Sequence, residues 1–461
     1  MDNINREHPE YAARKRMWKK YGDLYAGGEQ FRQCAQEYLV RRNKEPQAVY
    51  EERLSRVFYE NYIGSIIDWY TATLLRREPA LIAEGDNEAG KQFFNEFVED
   101  CDLKGTNFSE FFRRQLTRAL VYGASYVAVD FPRFSGAVRN RAEEDALGRS
   151  RAFLVDYTPD EVINWSRGPE GNLEWIVLRT SSLRQEKITD PGWKKETRWV
   201  YYDREDFRIF QQVEGEEGIR LIDEGKHGLA ALRRVPVFAT TISDGLWLMN
   251  KAALLQLEHF NKSNGLAWAL TMGLFAMPVV YSDSEFKQIV GESYYLQLGR
   301  EDRYGWTEPE GRVYQIAADN LERLKNEIYR VCYLLAQAGG TQSSQVLQSG
   351  LSKLRDFGIT QEVLRAYGDA VKETMKQVLR AIESARQDGL FLDVTGLDEF
   401  DIGDFSAELD EARKLLALGI ESPALTQQVF KKLAFKYFSD ARQELKNQMA
   451  QEIEENHGRN R

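Results

Sequence analysis

At 461 residues, the chain is long enough for several domains and a sizeable core. Its make-up, 43% hydrophobic and 29% charged, is that of an ordinary globular protein. The formal net charge of −10 speaks against a dedicated nucleic-acid binder, because affinity for phosphates comes mainly from Lys and Arg. No apolar run reaches the roughly 18 residues of a membrane span; the best, 265–281, is interrupted by Pro278.

The first twenty residues, MDNINREHPEYAARKRMWKK, hold no apolar signal core, so secretion is not expected. The N-terminal third then reads as helical. Residues 49–80 place Leu54, Val57, Phe58, Ile66, Ile67, Tyr70 and Leu74 largely on one face, closed by Pro79. A second amphipathic segment carries Phe93, Phe94, Phe97 and Val98. A third is expected to start on Ser109 as its N-cap and to stop at Gly123. Strand signals follow at 125–131, 152–157 and 161–166, and then in LEWIVLRTSS, RWVYYD and FRIFQQV, with GEEGIR (215–220) as a hairpin turn. Their spacing predicts an antiparallel or mixed sheet packed by helices.

From Ser243 the pattern turns helical again. Trp247, Leu248, Ala252, Leu254, Leu255, Leu257 and Phe260 cover more than one stripe, with Lys251, Glu258 and Lys262 on a polar side. A helix so broadly apolar needs cover on two sides, which neighbouring copies in a ring could give. Residues 277–318 read as short strands, MPVVYSD, YYLQLGRED and GRVYQIA, separated by turns. Asp319 and Glu322 resemble a capping box opening a helix with a seam of Leu321, Leu324, Ile328, Val331 and Leu335, stopped by Gly339 and Gly340. The polar segment AGGTQSSQVLQSG (338–350) precedes another long helix using Leu364, Tyr367, Val371, Thr374, Val378 and Ile382. Ser422–Pro423 is an N-cap followed by Pro at the first helical position, and Leu445, Met449 and Ile453 face one way along a charged tail.

Signatures of chemistry are scarce. The four histidines (His8, His227, His259, His457) never fall in metal-ligand spacing, and His259 is expected at a helix surface. Cys34, Cys101 and Cys332 lie far apart, as in a reduced chain without a metal site. There is no phosphate-binding G-x-x-x-x-G-K-[ST], no G-x-S-x-G elbow and no dinucleotide fingerprint. Paired carboxylates such as Glu143–Glu144 and Glu454–Glu455 read as solvated faces. No catalytic residue, metal site or cofactor is therefore expected, and the chain is not expected to be an enzyme. Two alternatives stay open: a nucleic-acid-processing enzyme with an unrecognised site, and a helical adaptor or scaffold without a pore.

Several stretches resemble the portal proteins of tailed bacteriophages, the head-to-tail connectors, in a subfamily of siphophages and prophages. They include YEERLSRVFYEN with LLRREPA, LVYGASYVAVDFP, RAFLVDYTPDEVINW, LEWIVLRTS, and LLQLEHFNKSNGLAWAL running into MPVVYSD. The resemblance covers residues of about 45–440. It implies an α+β, mainly helical fold of portal-like architecture, with a wing of helices and antiparallel or mixed sheet at 1–242. An outgoing stem helix at 243–274, a small clip lobe at 275–318 and a returning stem at 319–338 follow. Next come a tunnel loop at 339–352, a long wing helix with its connection at 353–402, and a short helical crown at 403–461.

The function the resemblance implies is a ring, expected to be a homododecamer, that forms the DNA channel at a capsid vertex for packaging, retention and ejection. The implied partners are other copies of the chain, the large terminase subunit, the major capsid or scaffold protein, a head-completion adaptor and double-stranded DNA, with no membrane. The implied location is the virion, with assembly in the host cytoplasm. By position, Gly340, Thr341, Gln342, Ser343, Ser344, Gln345, Gln348 and Ser349 match the channel constriction. Arg300, Glu301, Asp302, Arg303 and Trp306 match the terminase-docking clip. Lys251, Lys262 and Lys325 are the expected channel-facing basic residues.

Overall fold

A computed structural model describes residues 3–132, 148, 150–185, 187–188, 192–273, 277–281, 301, 303–307, 311–334, 350–397, 412–418, 422–438, 441 and 443–458. The chain divides into two units. One comprises residues 1–22, 66–250 and 354–461; the other comprises 23–65 and 251–353.

In the first unit the sheet strands are all antiparallel. The strands β2 (Ala124–Asp130), β3 (Phe153–Tyr157) and β9 (Val237–Thr241) form one sheet in the order β3-β2-β9. The strands β4 (Val162–Arg167), β5 (Leu173–Arg184), β6 (Lys194–Asp203), β7 (Asp206–Val213) and β8 (Arg220–Lys226) form a second sheet in chain order. Alternation along these strands gives each sheet face its own core. Ile176, Leu178, Tyr202 and Phe207 pack with Ala128, Tyr157 and Val237, while Val177, Ile163 and Trp199 pack with Tyr11 and Trp18 of helix α1 (Pro9–Ala26). The predicted strands from 125 to 213 are present, and 214–219 form the hairpin turn between β7 and β8. Strands β8, β9, β1 (Ala80–Glu84) and β12 (Phe391–Thr395) lacked a recognised pattern; the last two pair with each other.

Local capping corrects two helix readings. Residues 49–80 are not one helix: α3 (Gln47–Ser55) and α4 (Tyr62–Leu74) are separated by a non-helical stretch in which Phe58 is exposed. Residues α5 (Glu88–Glu99) and α6 (Phe108–Tyr122) follow, and the N-cap of α6 is Asn107, whose Oδ1 accepts from the Glu110 N–H. Ser109 lies inside that helix with its hydroxyl buried and unpartnered. Gly123 does end α6, in the left-handed region at φ 87°, and a Cβ there would stand 3.1 Å from the Trp247 ring.

The second unit holds helix α2 (Gly28–Cys34), α3, most of the long helix α7 (Leu248–Gly273) and all of α8 (Gly311–Val331). Its core is aromatic. Phe31 stacks on Tyr59 at 4.0 Å and meets Phe260 of α7 edge-on at 5.1 Å. Helix α9 (Gly350–Arg386) begins inside the segment expected as the tunnel loop, 339–352; at ~1.5 Å per residue, its 37 residues span about 55 Å. Leu364, Tyr367, Val371, Thr374, Val378 and Ile382 are all buried, as their spacing predicted. Ser422 caps α10 (Pro423–Tyr437) by accepting from the Leu425 N–H, with Pro423 at the first position, and α11 (Gln443–Gly458) follows.

Candidate functional site

The out-and-back excursion predicted between 243 and 338 contains an antiparallel helix pair whose pairing continues into two antiparallel strands. Along α7 and α8, Lys251 bonds to the Tyr333 hydroxyl, Lys262 Nζ donates to Asn320 Oδ1 at 3.2 Å, and Tyr314 OH donates to the Ala269 carbonyl at 3.2 Å. Facing residues thus advance one for one in opposite directions. The same pairing continues into strands β10 (Met277–Tyr281) and β11 (Arg303–Thr307), from Met277↔Thr307 to Tyr281↔Arg303.

Two sequence expectations for the returning arm are corrected. The helix starts at Gly311, so GRVYQIA is helical and Asp319 and Glu322 lie in its interior. A seven-residue run with Val313, Tyr314 and Ile316 satisfies strand and helix patterns equally, and length is what separates them. Nor does α8 wait for the glycines at 339 and 340. It ends in a Schellman motif: Tyr333 N–H donates to the Arg330 carbonyl at 3.1 Å and Leu334 N–H to the Tyr329 carbonyl at 2.9 Å. Tyr333 takes the left-handed position at φ 62°, where glycine is usual. Its ring faces the Lys251 ammonium, 4.3 Å from the ring centroid, a cation–π contact in addition to the bond to its hydroxyl.

Part of the apolar girdle predicted to need neighbouring copies is covered within the chain. Phe260, Leu324 and Ile328 are buried in the second unit, and Trp247 and Leu248 in the first, where the Trp247 indole N–H donates to the Val121 carbonyl. The covering segment is 38–63, and α7 holds it with side-chain amides. Gln256 accepts from the Ile63 N–H and donates to the Glu60 carbonyl; Asn264 accepts from the Phe58 N–H and donates to its carbonyl; Asn261 accepts from the Val40 N–H and donates to the Tyr38 carbonyl. Each amide presents a donor and an acceptor, as a strand would, to backbone outside helix or, at Ile63, to the unpaired first turn of α4. Of the girdle positions, Leu254 stays exposed and Leu255 and Leu257 are half-buried; toward the paired strands, Leu270, Val313 and Ile316 are exposed.

His259 is not at a surface. It is 2% exposed, with Nδ1 lacking a hydrogen bond, 3.5 Å from Glu60 Oε2 and edge-on to the Tyr62 ring. Burial holds its pKa below the usual histidine value, against the raising effect of Glu60.

The three lysines expected to face a channel are already engaged. Lys251 is half-buried on Tyr333, Lys262 pairs with Glu258 at 3.0 Å, and Lys325 pairs with Glu322 at 3.4 Å. Of the expected clip residues, Glu301 is exposed, Arg303 opens β11 and is exposed, and Trp306 stands in β11 opposite Pro278. Arg300 and Asp302 lie outside the described residues, as does the whole expected constriction from Gly340 to Ser349. Residues 133–147, between β2 and β3, also lie outside them. The polar amides of α7 and the Tyr333 cap were missed by sequence reasoning. The spacing of Gln256, His259, Ser263 and Asn264 was their only available signal, and it reads equally as a solvated stripe.

Among the described residues no group of three His, Cys, Asp or Glu side chains is placed to hold a metal ion. The first unit has a cavity of about 210 Å³, lined by residues including Glu78, Ser109, Val394 and Lys446. Among the described residues, no helix is long and apolar enough to cross a membrane.

No family model matches the sequence, and no curated protein matches it. By structure the chain is similar to a chain from the neck of an empty GTA particle, at 12% identity and a TM-score of 0.45, covering 78% of this chain and 88% of that one. It is also similar to a chain from the virion of a native gene transfer agent (GTA) particle, at 12% identity and a TM-score of 0.41, covering 84% of this chain and 94% of that one.

Proposed function

We propose that this chain is the subunit of a portal-type ring, a DNA channel at a capsid vertex through which a genome is packaged, retained and ejected. The observation that carries the reading is the α7–β10/β11–α8 excursion. A chain that goes out along one helix and a strand and returns in register beside itself builds a spoke, and many spokes side by side build a wall. The exposed apolar residues on that spoke, Leu254, Leu270, Val313 and Ile316, are the kind of surface that seeks a neighbour. In this reading α7 and α8 are the stem, with the returning stem beginning at Gly311. Residues 275–310 correspond to the clip that meets the packaging motor, and 339–349, ahead of α9, to the segment nearest the DNA. The remainder forms the wing and crown, and the role is structural, without catalysis. A head-completion protein and the capsid are the further partners.

The test is mass and shape. Light scattering of the purified chain at micromolar concentration and physiological salt should give an assembly many times heavier than 53.3 kDa, and negative-stain images should show a central hole. A folded monomer, or a compact oligomer with no hole, overturns the proposal and favours the adaptor reading.

A further inference from the structure

The cavity of about 210 Å³ in the first unit is lined by the start of α6, through Asn107, Phe108 and Ser109. The Asn107 side chain is spent on the Glu110 N–H and its carbonyl on the Phe111 N–H. That leaves the N–H groups of Phe108 and Ser109 without a partner among the described residues. Every helix start leaves such groups over, so they alone carry nothing. Here two buried polar side chains line the same cavity. Ser109 is 7% exposed, and its hydroxyl makes no hydrogen bond. Lys446, brought there by α11, is 2% exposed. An ammonium group has three donors, so a partner within the chain still leaves it able to serve a ligand.

The inner polar groups are thus donors: two N–H groups at the positive end of a helix dipole, a hydroxyl and an ammonium group. Such a set calls for a ligand made of acceptors. Leu81 and Val394 add apolar wall, which keeps the local dielectric low and the attraction strong. Glu78 and Glu99 also line the cavity, but both are exposed. Water and salt screen exposed charges over about 8–10 Å, and buried ones much less. The two carboxylates therefore weaken the site without reversing its sign.

We propose that this cavity binds a phosphate-class oxyanion. Its oxygens accept from the Phe108 and Ser109 N–H groups, the Ser109 hydroxyl and the Lys446 ammonium. The ligand gives the Ser109 hydroxyl the partner that the chain does not supply, and it ties α11 to α6. The inference is independent of the ring reading, since every group it uses lies in one unit of one chain.

The experiment is calorimetric titration of the purified chain with sodium phosphate at constant ionic strength, which should show saturable binding of a single phosphate per chain. Lys446→Met, which removes a charged donor, should weaken it about tenfold or more, and Ser109→Ala about fivefold. Glu99→Gln should tighten it. Ser109→Ala deletes a group that makes no hydrogen bond in the folded chain, so without phosphate it should melt no lower than the parent. Lost binding is thereby separated from lost folding, even if Lys446→Met fails to fold. Thymidine monophosphate in place of phosphate identifies the source: tighter binding means a nucleotide's phosphate, weaker binding a free ion. No saturable binding of either, an affinity unchanged by Ser109→Ala, or an affinity weakened by Glu99→Gln overturns the proposal.

Discussion

Gly358 and Gly368 lie on the same helix, α9, and the same substitution should move stability in opposite directions at the two. Interior helical Gly→Ala usually stabilises by up to ~1 kcal/mol, because alanine loses less backbone freedom on folding. At Gly358 nothing lies within 4 Å of an added Cβ, so that gain is expected in full. At Gly368 the added Cβ would stand 2.1 Å from the Leu397 carbonyl oxygen and 3.2 Å from its carbonyl carbon. That carbonyl belongs to a turn, Gly396–Leu397, with both residues in the left-handed region at φ 96° and 63°, and Leu397 is buried. The turn cannot yield the required ångström without moving β12. Overpacking of this kind costs ~1–3 kcal/mol, which at a carbonyl held this rigidly exceeds the propensity gain and leaves a net loss of up to ~2 kcal/mol. In thermal melts at equal protein concentration, Gly358→Ala should unfold slightly above the parent and Gly368→Ala a few degrees below it. A Gly368→Ala protein melting at or above the parent would refute the placement of the 396–397 turn against the helix.

Three other perturbations test separate parts of the structure. Gln115 is fully buried in α6 with neither amide atom hydrogen-bonded; an orphaned buried polar group costs ~1–3 kcal/mol, so Gln115→Met should raise the melting temperature, and a drop would count against that environment. His259 and His227 both have pKa values held below 6.5, first by burial, with nearby carboxylates opposing. The folded state binds their protons less readily than the unfolded one, so stability is full above pH 6.5 and declines as pH falls below it toward the depressed values. Denaturant titrations across that range should show a shallower decline for His259→Leu and a steeper one for Glu60→Gln, which removes the carboxylate opposing the shift. Val313→Glu with Ile316→Glu places charge on exposed apolar positions of α8; it should leave the melt unchanged and weaken assembly, and unchanged assembly would move the stem contact elsewhere.

Where local chemistry is decisive, the sequence was readable. Strand alternation from 125 to 213, the Gly123 cap and the Ser422–Pro423 start all follow from short-range rules and stand in the structure. What escaped reading is set by distant partners. The break at 56–61 carries no proline or glycine; it persists because Gln256 and Asn264 take up the backbone groups that a helix would have satisfied. The end of α8 escaped for a related reason. Tyrosine is a poor left-handed residue, and only the contact with Lys251 marks it as a cap. Strand β8 escaped because it is an exposed edge, mixed in charge and irregular beside Ile209, with no buried face to impose alternation. The site residues were the least readable, because a side chain's direction depends on which helix lies beside it. Of the apolar girdle inferred on α7, Trp247, Leu248, Ala252 and Phe260 turned inward for that reason, while Leu254 stayed outward.

The charges on the helix pair bear on how such a wall would treat DNA. Lys262 and Lys325 each lie beside a glutamate one helical turn away, and Arg330 meets Glu327 at 2.6 Å. Exposed pairs of this kind are worth only ~0–1 kcal/mol, so a passing phosphate could exchange places with a carboxylate at almost no net gain or cost. Lys251 differs, because moving its ammonium group off the Tyr333 ring forfeits a cation–π contact that is partly shielded from water. Tight phosphate binding depends on cations that release condensed counterions from DNA, and a cation already neutralised by its own chain contributes little of that release. Under the channel proposal, the pairing therefore gives a surface that meets the duplex without a deep, salt-dependent well at any one level. A processive motor can push DNA past such a surface in steps of similar cost, which a ring of unpaired arginines would not allow.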